Sequence, residues 1–216
     1  MKQCEQIHIK KLLMTYPHLD TIYDALLSGF DICVKCFSND HRLYVCGNGG
    51  SAADAEHITG ELVKGFLKKR KPERSLQKRL ENHCTPEDAG YLMANLQSGL
   101  PCFPLTGMPS LATAVTNDIA GDMVFAQQIS VFGRPGDVLL AISTSGNARN
   151  VYLACCIAQA LEMTVIGLTG EKGGTLADMS DICIQVPANE TYTVQEYHLP
   201  VYHTLCAMLE AHFFEK

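Results

Sequence analysis

Between residues 3 and 38 the apolar positions recur at helical spacing. Leu26, Leu27, Phe30, Ile32, Cys33 and Phe37 form a broad stripe, which predicts helices over 3–14 and 19–38. Pro17 and Asp20 mark a break and a new start between them. From residue 41 onward the pattern changes to short apolar runs separated by amphipathic stretches. The runs 41–46, 102–105, 137–142, 163–168 and 181–186 read as strands, the third of them strongly buried and the second weak. Helical character follows over 51–66, 86–97, 110–115, 122–131, 147–161, 173–179 and 191–214. Thr85-Pro86-Glu87-Asp88 supplies a start signal for the second of these, and Pro200 predicts a kink near residue 196 in the last. Strands alternating with helices predict an α/β fold of three layers around a parallel sheet. Residues 1–40 then form a helical arm ahead of a domain at 41–216. Such an arm needs a surface to pack on, and a second subunit is the natural candidate.

Composition narrows the classes. The chain has 216 residues, 47% hydrophobic and 19% charged, with a formal charge of −6. That apolar mass supports a full core. The negative balance argues against a nucleic-acid partner, because phosphate backbones reward a basic surface. The N-terminus shows no apolar signal region, and no apolar run reaches the ~18 residues that span a bilayer. The expected setting is therefore cytoplasmic, with no membrane partner and with the ten cysteines as thiols. Cys33-Val-Lys-Cys36 is a lone CxxC pair without the second pair that a zinc ribbon needs, so it reads as two helix-face cysteines. Residues 64–79 hold eight Lys/Arg and read as a solvated helix end and loop.

Two turns carry unusual chemistry. Gly47-Asn48-Gly49-Gly50-Ser51 follows the first strand, and Ser143-Thr144-Ser145-Gly146-Asn147 follows the strand at 137–142. Ligands bind beyond the carboxyl ends of strands in such sheets. Glycines at 49 and 50 let backbone N–H groups approach a ligand, and Ser51 is placed to cap the next helix. The second turn sets hydroxyls and free N–H groups at a helix N-terminus, which suits a phosphate without any Lys or Arg. Ser, Asn and Gly are also common in ordinary turns; it is the pair, each directly after a strand, that points to a ligand. There is no GxxxxGK[ST], and Gly47-x-Gly49-x-x-Ala52 lacks the acidic residue of a dinucleotide site.

Several spaced segments, in order, resemble the sugar isomerase (SIS) domain family and, within it, the phosphoheptose isomerases. They are Gly47 to Glu61, Asn117-Asp118, Gly136 to Asn147, Leu168 to Gly174 and Val194 to His203. The resemblance runs from about residue 40 to the C-terminus apart from an atypical insertion at about 68–100. It implies a flavodoxin-like SIS domain, a homotetramer, and isomerisation of sedoheptulose 7-phosphate toward activated heptose. It places phosphate on Ser51, Ser143, Thr144 and Ser145, and sugar against Asn48, Asn117 and Asp118. It also implies a set of His57, Glu61, Gln195 and His203 that acts as acid and base and can hold one zinc ion.

The residue types suit that chemistry. His57 and Glu61 are four apart, on one helix face. Gln195 and His203 are eight apart, about 80° around their helix. Moving a proton between C1 and C2 through a cis-enediol needs a base at carbon and a donor or cation at the oxygens. Glu61 is assigned the C–H proton and His203 the oxygens, although the two roles can be exchanged. His57 and Gln195 complete a metal site or orient the substrate. Three departures from the family pattern stand out: Ala148 where Ser is frequent, Thr193 where Arg is frequent, and the insertion. For the insertion, a lid, an oligomer contact and a specificity element all stay open. Two other readings of the chain stay open too: an isomerase of another ketose phosphate, and a non-catalytic SIS protein that senses phosphosugar or associates with the replication initiator. Retention of both Glu61 and His203 favours the enzyme.

Overall fold

A computed structural model of the chain describes residues 2–215. Five parallel strands form one sheet in the order β2-β1-β3-β4-β5. They are β1 (Leu43–Cys46), β2 (Cys102–Pro104), β3 (Val138–Ser143), β4 (Thr164–Gly170) and β5 (Ile182–Val186). Side chains alternate between two cores along each central strand. Leu43, Val45, Val138, Leu140, Ile142, Ile166 and Leu168 face one layer, while Tyr44, Cys46, Leu139, Ala141 and Val165 face the other. A sheet buried on both faces explains why these strands read as unbroken apolar runs.

The first layer holds α1 (Gln3–Thr15), α2 (Tyr23–Ser38), α3 (Gly50–Val63) and α10 (Thr191–Phe214). The second holds α7 (Val124–Phe132), α8 (Arg149–Ala160) and α9 (Gly174–Met179). The predicted helix at 19–38 opens as a 3₁₀ turn over Pro17–Ile22 before α2 begins. The N-terminal arm has a partner within its own chain: Ile9, Leu12, Leu26 and Phe30 are buried in the first core together with Leu205 and Met208 of α10. Ile7 and Met14 of α1 stay exposed, as do Tyr192 and Leu199 of α10. Helix α10 runs on through Pro200 to Phe214. Among the described residues no helix is long and apolar enough to cross a membrane.

Helices α4 (Arg74–Leu80) and α5 (Pro86–Asn95) occupy the insertion. Thr85 caps α5 by accepting from the Asp88 N–H. Helix α4 buries none of its residues. The two ends of the insertion are stitched together instead. Ser98 N–H donates to the Arg70 carbonyl (2.8 Å), Leu100 N–H to the Leu62 carbonyl (2.9 Å), and Gly65 N–H to Gln97 Oε1 (3.0 Å).

One member of the basic run departs from the solvated reading. Arg70 is 3% exposed and pairs with the equally buried Glu210 of α10, Nε to Oε1 at 2.8 Å. Its other nitrogens donate to the carbonyls of Leu62 (2.7 Å) and Glu61 (3.0 Å), closing the C-terminus of α3. Glu210 also accepts from the N–H groups of Phe66 (2.9 Å) and Leu67 (2.8 Å). Every strong donor around this carboxylate lowers its pKa against the upward pull of burial. Breaking a buried pair strands the remaining charge. Arg70→Met is expected to lower unfolding free energy by about 3 kcal/mol, read from urea denaturation at pH 7; a change within experimental error would show that the pair contributes nothing.

Candidate active site

The sheet order reverses between β1 and β3, and the two glycine turns leave their carboxyl ends at that point. Helix α3 follows the first turn into one layer and α8 follows the second into the other. A crevice opens between two diverging loops at such a switch point. Gly49 adopts φ +55°, and Gly146 φ +68°. A methyl at Gly146 would also collide with the Gly173 carbonyl, so glycine is required there for both conformation and space.

The turns are locked to one another and to their surroundings. Asn48 and Asn150 exchange both side-chain hydrogen bonds, each 2.8 Å, across the crevice. Asn147 Oδ1 accepts from Thr175 N–H (3.1 Å), and the Gly146 carbonyl from Leu176 N–H (2.9 Å). Ser51 is buried in the first turn of α3. In the second turn Ser143 is buried, Thr144 is half-buried and Ser145 is exposed. Ser145 Oγ accepts from the Asn147 N–H at 3.2 Å, which leaves its own proton free to donate. Two helix N-termini and these hydroxyls thus meet at one edge of the sheet, an arrangement suited to an anion.

The acid–base set lies further along α3 and α10. His57 Nε2 is 3.2 Å from Glu61 Oε1 and 3.4 Å from His203 Nε2. On its other side His57 Nδ1 is 2.9 Å from the hydroxyl of the buried Tyr202. The Phe66 ring packs on His203 with centroids 5.4 Å apart. Burial and the neighbouring His57 hold the His203 imidazole below its usual pKa, although Glu61 pulls the other way. Lys64 Nζ reaches Glu61 Oε2 at 3.5 Å. The structure therefore brings His57, Glu61 and His203 together. Gln195 sits one stage back: its amide is packed against Gly50, at the start of α3. Asn117 and Asp118 end α6 (Pro109–Asp118), exposed, with the Asn117 amide donating to Asp118 at 2.8 Å.

Two participants carry no clear sequence signal. Asn150 was hidden as an ordinary residue of the first turn of α8. Tyr202 adjoins His203 but is a large apolar-looking side chain in a buried helix. Asp54, half-buried beside Tyr202, stands three residues before His57 on the same face of α3, a spacing that does mark it.

His198 is also on α10, fully buried, and neither of its ring nitrogens has a hydrogen-bond partner. The Thr169 hydroxyl beside the sheet's carboxyl edge is likewise unpartnered. Burial pulls the His198 pKa down to about 4, and the nearby Thr169 backbone offsets only part of that. Above the ordinary value of ~6.5 both folded and unfolded states are neutral and the group is silent. As pH falls below that, the unfolded chain takes up the proton first, so stability drains until the folded state protonates near 4. His198→Leu should remove up to about 3 kcal/mol of acid destabilisation between pH 6.5 and 4. Urea titrations of both proteins at several pH values test this; parallel pH profiles would refute it.

Residues 14–86 and 87–170 match the family model described as the SIS domain. A phosphoheptose isomerase from Rhodospirillum rubrum is 41% identical over 169 residues, covering 78% of this chain and 76% of that protein. Among solved structures, a phosphoheptose isomerase from Neisseria gonorrhoeae superposes with a TM-score of 0.73 at 30% identity, covering 95% of this chain and 96% of the other. One from Francisella tularensis gives 0.71 at 29% identity, covering 97% and 99%.

Proposed function

The chain belongs to the SIS domain family and within it to the phosphoheptose isomerases, and from that premise we propose that it converts sedoheptulose 7-phosphate to D-glycero-D-manno-heptose 7-phosphate. The observation that carries the reading is the meeting of Glu61, His57 and His203 within 3.2–3.4 Å contacts. The crevice at the sheet edge lies on the same helix: Ser51 and His57 are six residues apart on α3, about 9 Å along its axis. A sugar with phosphate at one end and carbonyl at the other suits that separation. Nothing favours a purely binding role, since a sensor needs the turns but not this acid–base set.

In this reading the phosphate rests on Ser143, Thr144, Ser145 and Ser51, with the N–H groups of Gly49 and Gly50 nearby. Asn48, Asn117, Asp118 and Gln195 line the sugar. Glu61 takes the C–H proton and returns it to the adjoining carbon. His203, held toward its neutral form, moves the proton between the two oxygens, so the enediol collapses to the aldose without net gain or loss of protons.

Zinc is part of the proposal, with His57, Glu61 and His203 as its holders and Gln195 the more distant fourth. The donor types suit it. The two separations about His57 Nε2 are also near the ~3.3 Å edge of a tetrahedral site with 2.0–2.1 Å bonds. Among the described residues, the side chains as they stand do not close as a set of three around one point. When bound, the ion would supply positive charge for the enediolate oxygens; the residue roles given above do not depend on it.

The assembly proposed is a homotetramer, placed in the cytoplasm. The His57 side chain is 43% exposed in a single chain, more open than abstraction of a carbon-bound proton favours. Ile7 and Met14 of α1 and Tyr192 and Leu199 of α10 are exposed apolar side chains that further copies would cover in the proposed assembly. Sedimentation equilibrium at micromolar concentration should give four chains per particle; a stable monomer would overturn the assembly.

Purified protein is expected to turn over sedoheptulose 7-phosphate in preference to fructose 6-phosphate. Glu61→Gln should lower kcat by about 10²–10⁴-fold while substrate still raises the melting temperature. Full activity in that variant would refute Glu61 as the base, and absence of heptose product from the unmodified protein would refute the substrate.

A further inference from the structure

Behind His57 stand two side chains, Tyr202 and Asp54, that the reaction scheme above does not use. Tyr202 is 2% exposed, and its hydroxyl lies 2.9 Å from His57 Nδ1. The two rings meet edge to face, with centroids 5.6 Å apart. The half-buried Asp54 carboxylate stands beside the same hydroxyl, and its Oδ2 has no hydrogen-bond partner. Asp54 and His57 come from one face of α3 and Tyr202 from α10, so the three side chains span the junction of the two helices that carry the acid–base set.

The direction of these bonds follows from the proton count. A carboxylate only accepts, and a tyrosine hydroxyl has one proton to give. If Asp54 takes that proton, the tyrosine oxygen can only accept from His57. We infer that Asp54 and Tyr202 are positioning residues that hold His57 with its proton on Nδ1, so that its Nε2 lone pair faces Glu61 and His203. At 3.2 and 3.4 Å from those two groups, a lone pair on Nε2 converges with a carboxylate oxygen and a second imidazole nitrogen. Three such groups are compatible only around a shared cation, either a proton or a metal ion. The opposite tautomer would aim an N–H at Glu61 and remove Nε2 as a donor to any cation.

This inference builds on the isomerase reading, but its first readout does not depend on turnover. Nitrogen-15 spectra of metal-free, full-length protein at pH 8 should show His57 protonated on Nδ1. Tyr202→Phe keeps the ring and removes the hydroxyl; Asp54→Asn keeps the shape and supplies an N–H that can reverse the tyrosine proton. Both are expected to lose the fixed tautomer, weaken zinc binding measured by calorimetry about 10–100-fold, and lower kcat by a similar factor with KM changed less than about twofold. A native His57 protonated on Nε2 would overturn the inference, as would variants that keep both the tautomer and the zinc affinity. A native protein with the Nδ1 proton but no isomerase activity would overturn the function and leave the relay standing.

Discussion

The geometry of the site depends on one buried ion pair. Arg70 closes the last turn of α3 through the carbonyls of Glu61 and Leu62, and its Nε binds Glu210 near the end of α10. The same carboxylate ties down the backbone at Phe66 and Leu67. Glu61 and His203 sit on separate helices, and this knot fixes the end of one against the flank of the other. Phe66 then lies on the His203 ring as a consequence. Burying two charges is costly, and a well-packed apolar pair could serve stability as well. What the ion pair supplies is direction: five hydrogen bonds of 2.7–3.0 Å leave the chain after α3 a single path.

The sheet sets the other end of the site. Because the strand order reverses between β1 and β3, the helices that follow diverge to opposite layers and their N-termini face a common crevice. The groups suited to an anion there are backbone and hydroxyl groups held by tight turns, whereas the proposed proton transfer falls to side chains two to three turns along α3 and to His203 on α10. This division explains why the second turn alone supports only binding. It also explains the Asn48–Asn150 pair, since two loops that leave a sheet in different directions need a cross-link to keep their spacing.

Features encoded locally were legible in the sequence. The strand β3 stands out because both faces are covered, and the turns stand out because glycine and serine recur directly after strands. The helix α10 spans 191–214 as its pattern predicts. The features that escaped are those whose meaning comes from a distant partner. Arg70 is one of eight basic residues in a run, and only Glu210, 140 positions away, separates it from its solvated neighbours. Tyr202 looks like core until Asp54 and His57 are placed beside it. Helix α4 has only the half-buried Leu76 and Leu80 as an apolar face to announce it, and none of its residues is fully buried. The charge run also masks a change of role within five residues, from Arg70 in the interior to Arg74 at the surface.

Helix α10 shows how one element assigns three polar residues to three tasks. Its 3.6-residue turn points Gln195 at the start of α3, His198 into the core and His203 at His57. The two histidines share a helix and an intrinsic pKa, yet their surroundings separate them. Burial takes the His198 pKa down to about 4, and the Thr169 backbone offsets only part of that. For His203, burial and His57 lower the pKa while the nearby Glu61 carboxylate raises it, which leaves it closer to the range where a proton can be both accepted and given. The family resemblance marks His203 and passes over His198, but the helical pattern by itself treats the two histidines, five residues apart, alike. It is the carboxylate on α3, held in place by Arg70, that makes His203 the one suited to proton transfer.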